Sequence, residues 1–431
     1  MSPEKPFPPS VVPQNIADTV VSPSANAERH RLDEAYTWLR KNAPLARIEP
    51  EGYHAMWAVT RRADIIDIER NAEVFRSGGA RSTVLVDRFN DEHTRAMNDG
   101  KPSRSSNLVS MDGATHHAHR RLTSASFSMM GLRQFDDRIT QLAEETAEKM
   151  FDLGDACDFA TDVSLNFPLQ VIMELLGVPR EDEPLMLTLT QEVFGAADSD
   201  VAGDELTFEE RAAFLDEKMG EFRKYFAALI EDRKANPRDE IATLIANAEI
   251  DGEPISLPAA LGYFFIIATA GHDTTSSTIS SGMWQLAANP DQLAMLKDDL
   301  SLVPGFVEEC VRWETPVRSF MRNNVEDVEV AGQKIPTGEW FMLCFLSGNR
   351  DEDVFDDPFT FDLRRPPRDH IGYGHGPHVC LGKHLASLEM QRLWEQIIPR
   401  LDDVELAGTP TRVRSNFVSG PKSVPIRYSM R

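Results

Sequence analysis

From Pro258 to Ala288 the chain reads PAALGYFFIIATAGHDTTSSTISSGMWQLAA, and the first clear stop is Asn289-Pro290. Taken as one helix at about 1.5 Å per residue, this stretch is over roughly 40 Å long, enough to cross a protein of 431 residues. Whatever the chain folds into has to be wrapped around it. The apolar run within it, Leu261 to Ala270, is shorter than the about 20 residues that a bilayer span requires, so a buried helix of a soluble protein is expected. The centre, Gly271 to Ser277, is Gly, His, Asp, Thr and Ser, and most of these loosen a helix or compete for its hydrogen bonds. A polar face meeting solvent or another helix accounts for this as readily as a functional interruption does.

The remaining sequence predicts a mainly α protein with small β-sheets. HAMWAVT reads as a strand and RRADIIDIER as a helix. From about Thr115 to Pro304 helical periodicity dominates: Ile139, Leu142, Ala143, Ala147, Met150 and Phe151 form one stripe before Gly154, and Met219, Phe222, Phe226 and Leu229 form another before Asn236-Pro237. Such stripes belong to a core. Beyond Pro316, DVEVAGQKIPTGEWFMLCF and RVRSNFVSGPKSVPIRY are β-rich runs divided by Gly and Pro turns. No repeat or Gly/Ser linker divides the chain, so residues 16–431 read as a single domain behind a proline-rich arm, residues 1–15.

Charge and cysteine usage narrow the function. Asp and Glu number 69 against 45 Lys and Arg, a formal charge of −24 that opposes binding to nucleic acid or to an anionic membrane. The N-terminus has neither the basic start nor the apolar core of a signal peptide. Four cysteines without paired spacing argue against disulfides, and a cytoplasmic monomer is expected. Cys157, Cys310 and Cys344 read as small buried hydrophobes.

Cys380 is different. It lies in IGYGHGPHVCLGKHL, directly before the helical LASLEM. Unpaired amides at a helix start, with Lys383 and His384 within a turn, favour a thiolate, the form that ligates metal. A phosphate loop fails, because Pro377 stands where a glycine is required and His384 where a hydroxyl is required. Zinc held by His375, His378, Cys380 and His384 is one reading. Haem is the other: glycines at 374, 376 and 382 would let backbone lie flat against a macrocycle, with the cysteine as axial ligand.

YGHGPHVCLG resembles the Phe-Gly-x-Gly-x-His-x-Cys-x-Gly loop of the cytochrome P-450 superfamily, with Tyr373 in place of phenylalanine. AGHDTT is similar to its Ala-Gly-x-[Asp/Glu]-Thr motif, EECVR to its Glu-x-x-Arg helix and FDLRR to its Phe-Asp-x-x-Arg segment. Longer stretches, among them EDEPLMLTLTQEVFG, RWETPVRSFMR and NFVSGPKSVPIR, resemble the bacterial α-terpineol hydroxylase group, and the likeness runs from about residue 16 to the end.

The resemblance implies the fold of that superfamily and a haem b (iron protoporphyrin IX) monooxygenase. Cys380 would be the axial ligand, with Ala270, Gly374 and Gly382 against the macrocycle. Asp273 would relay protons and Thr274 would hydrogen-bond dioxygen or its waters. His116, Arg120, Arg322 and His378 would hold the propionates. Gly113-Ala114 replaces two prolines common in the superfamily, so the start of the His116 helix is expected to be looser. Glu309, Arg312 and Arg365 would form a buried structural ion group, although by spacing alone Glu309 and Arg312 read as a solvated pair. The pocket would draw on Ile266, Thr269, Val317, Phe320, Phe417 and Val418, apolar walls suited to a monoterpenoid, an alkylbenzene or a small aromatic hydrocarbon. Electrons would come from NAD(P)H through a ferredoxin reductase and a [2Fe-2S] ferredoxin, as no redox domain fits in this chain. A haem sensor or carrier without turnover is the rival, opposed by the Asp-Thr pair. His272 has no role by this reading.

Overall fold

The structure is a computed structural model that describes residues 12–102, 107–195, 208–366 and 370–431. Most of the proline-rich arm lies outside the described residues. Its last two positions belong to a helix, Gln14–Val21, which follows Pro13.

Helices form the bulk of the molecule and the strands sit at its edges. Both predicted stripes are helices, Asp136–Asp152 and Phe208–Ala235, and nearly all their apolar positions are buried. The long central segment is not one helix. It is two, Leu257–Ala270 and Asp273–Ala288, separated at Gly271 and His272. Ser256 caps the first by accepting from the Ala259 amide. At the junction the Gly271 amide reaches the Ile267 carbonyl at a long 3.4 Å, and the Thr274 hydroxyl donates to the Ala270 carbonyl at 2.9 Å. The side chain takes a carbonyl that the ladder would otherwise use, so the interruption is built by the polar centre itself.

In the main sheet, strands Leu45–Ile48, Met56–Val59, Trp340–Cys344, Ser319–Asn324 and Phe75–Arg76 lie side by side in that order. Trp340–Cys344 runs parallel to Met56–Val59 and antiparallel to Ser319–Asn324, with Phe341 opposite both Trp57 and Arg322. Every residue of this central strand is buried, which explains a run, WFMLC, that shows no alternation. A smaller sheet joins Leu401–Leu406, Pro425–Met430 and Ala156–Asp158.

The largest apolar cluster surrounds the two central helices, and a second cluster, with Phe75, Phe341 and Phe345, lines one face of the main sheet. The functional residues gather at the seam between them.

Candidate active site

A cavity opens at that seam, and Cys380 faces it with its side chain open to the interior space. The loop that carries the cysteine is set by backbone contacts. The Cys380 amide donates to the Tyr373 carbonyl at 2.8 Å, and Arg120 donates to the Val379 carbonyl at 2.6 Å. Gly376 has φ +65°, and a Cβ there would collide with the Glu69 carbonyl oxygen, so its role is close approach to a neighbouring helix and not contact with a macrocycle. Gly382 is open on the side where a Cβ would stand and lines the cavity, as does Gly374. The helix behind the loop is Lys383–Ile397, so Cys380 precedes its first residue by three positions.

The thiol does not ionise as readily as the sequence suggests. Burial pushes it up, and the opposing pull of the Gly382 amide, Arg120 and Lys383 does not overcome that. A metal ion bound at the sulfur would displace the proton outright.

Tyr373, the departure from phenylalanine, keeps its ring on the cavity wall. Its hydroxyl meets Ser387 at 3.2 Å; Ser387 donates to Glu308 at 3.0 Å, and Glu308 contacts His370 at 2.8 Å. The extra oxygen therefore enters a satisfied chain instead of an apolar void.

His116, Arg120, Arg322 and His378 meet at one end of the cavity. The rings of His116 and His378 lie 4.2 Å apart, and Ser77 contacts His378 at 3.2 Å. Burial, followed by the charges of His378, Arg120 and His117, holds His116 down at about 4. Burial also lowers His378, against the pull of Asp112. These imidazoles are therefore neutral donors at neutral pH, and the cations are the two arginines. The helix that carries His116, Gly113–Ser124, starts on a left-handed glycine, Gly113 at φ +55°, a conformation closed to proline. Its start is not loose: Asp112 accepts from the Ser77 and Gly78 amides at 2.8 and 2.7 Å.

On the opposite wall the interrupted helices contribute Ile266, Ile267, Ala270, Gly271, Thr274 and Thr278. Asp273 is not on this wall. Its carboxyl stands 3.4 Å from His272 Nδ1, and burial raises it above the ordinary carboxylate range, only partly countered by His272. His272 is fully buried and contacts the Leu165 carbonyl through Nε2 at 2.7 Å. A carbonyl can only accept, so Nε2 carries a proton and Nδ1 is the nitrogen turned toward Asp273. The residue without a role in the sequence reading is the buried neighbour of the acid.

Two expectations for the pocket change. Thr269 is buried off the cavity wall, its hydroxyl donated to the Phe265 carbonyl at 2.6 Å. Phe417 and Val418 form a second layer, Phe417 edge-on to Phe320 at 5.5 Å and Val418 bridged to Val317. Val317, Phe320 and Ile266 do line the cavity, joined by Leu108 and Val109. Glu309 and Arg312 are a buried bidentate pair at 2.6 and 2.7 Å, with Arg365 at 3.4 Å from the same carboxylate. Sequence reasoning missed two acids on the cavity wall, Glu69 and Glu389. The signal for Glu389 was a lone acid beside Met390 on the apolar face of its helix; it is hydrogen-bonded to Thr275, and burial holds it well above the ordinary range.

The cavity fits a haem. One wall offers a sulfur, the opposite wall is largely apolar, and one end holds two arginines and a buried His116 Nε2 with no partner in the protein. The zinc arrangement is not assembled: among the described residues no three His, Cys, Asp or Glu side chains converge as a metal site, and His375 Nε2 instead accepts from Arg70 at 3.0 Å.

Known proteins agree with this geometry. Residues 78–422 match the cytochrome P450 family model. Cytochrome P450-terp of a Pseudomonas species is 42% identical over 97% of this chain and 99% of its own, and linalool 8-monooxygenase of Pseudomonas putida is 32% identical over 91% of this chain and 94% of its own. The crystal structure of CYP108D1 from Novosphingobium aromaticivorans superposes with a TM-score of 0.90 at 38% identity, covering 97% of this chain and 99% of that one. A Mycobacterium marinum cytochrome P450 in complex with pseudoionone gives 0.84 at 30% identity, with 97% and 99% coverage. By its loop, its cavity and these relatives, the chain belongs to the cytochrome P450 family and is a haem-dependent monooxygenase.

Proposed function

We propose that the protein hydroxylates a compact terpenoid, with electrons delivered by a [2Fe-2S] ferredoxin and its reductase. The observation that carries this reading is the small apolar chamber framed by Ile266, Val317, Phe320, Leu108 and Val109, directly beside Thr274. A chamber of that composition selects by shape and apolar area and offers few groups to orient a polar substrate. Two relatives, the linalool 8-monooxygenase and the cytochrome bound to pseudoionone, carry terpenoids in their names, which supports the class.

When bound, the haem supplies oxygen activation, and its cysteine ligand favours O–O cleavage. The chain supplies the rest. Arg120 and Arg322 would anchor the propionates by charge, and His116 and His378 would do so by neutral N–H donation. Burial raises the Asp273 carboxyl and so favours its holding a proton, His272 stands 3.4 Å from it, and the Thr274 hydroxyl, its own proton donated to the Ala270 carbonyl, offers its oxygen as an acceptor beside the chamber.

Electron delivery has a surface. Beside the cysteine loop, burial and then the charges of Arg70, Arg62 and Lys383 lower His375, and these three cations form a basic patch on a chain of net charge −24. Such a patch suits an acidic iron–sulfur protein.

The test is a spin-state titration of the ferric protein with monoterpene alcohols, alkylbenzenes and bicyclic aromatics, followed by turnover with ferredoxin, reductase and NAD(P)H. A low-to-high-spin shift and a hydroxylated product with terpenoids support the reading. A response confined to the alkylbenzenes or the bicyclic aromatics overturns it.

A further inference from the structure

Glu69 is a carboxylic acid in a place built for carboxylates. It sits in the last turn of the helix Arg62–Arg70, four residues after Ile65 and on the same buried face. It is 3% exposed and lines the cavity at the end where His116, Arg120, Arg322 and His378 meet. Arg322 lies 3.5 Å from Oε1, and the His375 amide also favours the carboxylate, while Oε2 is buried with no partner in the protein. A buried oxygen left without a donor is destabilising, so one left in a cofactor cavity points to the cofactor.

The charges at this end show the form it takes. Arg120 and Arg322 supply the positive charge on the cavity wall, and Arg70, on the same helix as Glu69, is paired with His375. The two imidazoles, lowered by burial, are neutral. Asp112 is ionised, held below its ordinary value by His378 and by the Ser77 and Gly78 amides despite its burial. Haem b adds two propionates, so with Asp112 three anions meet three cations, the two cavity arginines and Arg76, whose guanidinium stands beside Gly113. A fourth would have no counter-ion in a site of low dielectric.

We propose that Glu69 serves the haem as a protonated acid that donates its O–H to a propionate, so that losing this proton alters how the porphyrin is held and how readily its iron is reduced. Burial already pushes Glu69 up to about 7, against Arg322, and a propionate beside it raises it further. The sign follows from linkage. The haem-bound form takes the proton more tightly than the haem-free form, so haem binding is strongest below about 7 and weakens as pH rises through and above that value. Ionised Glu69 also opposes electron addition at the iron, so the ferric/ferrous midpoint potential falls over the same window.

The experiment uses substrate-free holoenzyme, with Glu69→Gln, which donates an N–H and cannot ionise, and Glu69→Ala, which cannot donate. Spectroelectrochemistry from about pH 6 to about pH 9 brackets the transition. The wild-type midpoint is expected to fall with rising pH, and that of Glu69→Gln to stay flat near the wild-type acid-side value. In resonance Raman spectra, the propionate bending band is expected to move in Glu69→Ala and to stay in Glu69→Gln. Equal pH slopes in wild type and Glu69→Gln overturn the proposal, as does an unshifted propionate band in Glu69→Ala. If Glu69→Ala does not retain haem, the Glu69→Gln slope decides alone.

Discussion

Three residues set the site at the residue scale, and each gives a separable prediction. Cys380 is the sulfur that faces the cavity. Cys380→Ser should abolish the strongly red-shifted Soret band of the reduced carbon monoxide complex while leaving the apoprotein folded, as followed by absorption and circular dichroism. Thr274 places its hydroxyl at the helix interruption, 2.9 Å from the Ala270 carbonyl. Thr274→Ala should divert about 10²-fold more reducing equivalents to peroxide per hydroxylation, measured as peroxide against product in the coupled assay; unchanged coupling refutes its role. Gly376 holds the loop against the Glu69 backbone at positive φ. Gly376→Ala should displace the loop, visible as a mixed carbon monoxide spectrum and weakened haem retention. Cys380 and Thr274 were legible because their neighbours form local patterns. Glu69 and Glu389 were not, since an isolated acid on a helix acquires meaning only from what the far side of the cavity presents.

At the scale of elements, buried ion groups tie helix to loop. Glu309 and Arg312 are paired on Val303–Glu314, and Arg312 also donates to the Asn349 and Pro358 carbonyls at 3.0 Å. The pair fastens the segment that leads to the cysteine loop. Removing one partner strands the other charge, so Glu309→Ala should cost about 3–5 kcal/mol in urea unfolding of the holoenzyme. Arg365→Ala should cost less, because that side chain reaches the carboxylate at 3.4 Å and otherwise meets carbonyls near solvent. The spacing of Glu309 and Arg312 was readable in advance, but their burial was not: an i,i+3 pair looks the same on a wet face and inside a core. The central helix teaches the same lesson. Its polar residues were visible, and only the contacts of His272 with Leu165 and of Thr274 with Ala270 turned them into a break between two helices.

For the whole molecule, a second buried network governs the response to acid. Glu314 is fully buried at the C-terminal end of the Glu309 helix, and burial alone would raise it, yet Arg412, Arg318 and Arg29 bring it down to about 2. Its folded-state value lies below its unfolded one, so its contribution to stability is complete above the ordinary value of 4.5 and is lost as pH falls from there toward about 2. Stability to thermal unfolding should therefore fall steeply below about pH 4.5, and Glu314→Gln should flatten that acid limb while lowering stability at neutral pH. Of the arginines that hold Glu314, Arg318 lies only four residues on, but Arg29 and Arg412 come from opposite ends of the chain, and no local spacing announces those two. The division between what was legible and what was not follows from this. Hydrophobic periodicity, turn residues and the composition of short loops are local properties, so the sequence by itself determined a mainly helical protein, its cysteine loop and its polar helix centre. Charge state and cavity shape depend on groups that only folding brings together, so the tertiary structure decided that two imidazoles are neutral, that Thr269 turns away from the chamber, and that a glutamate shares the propionate end.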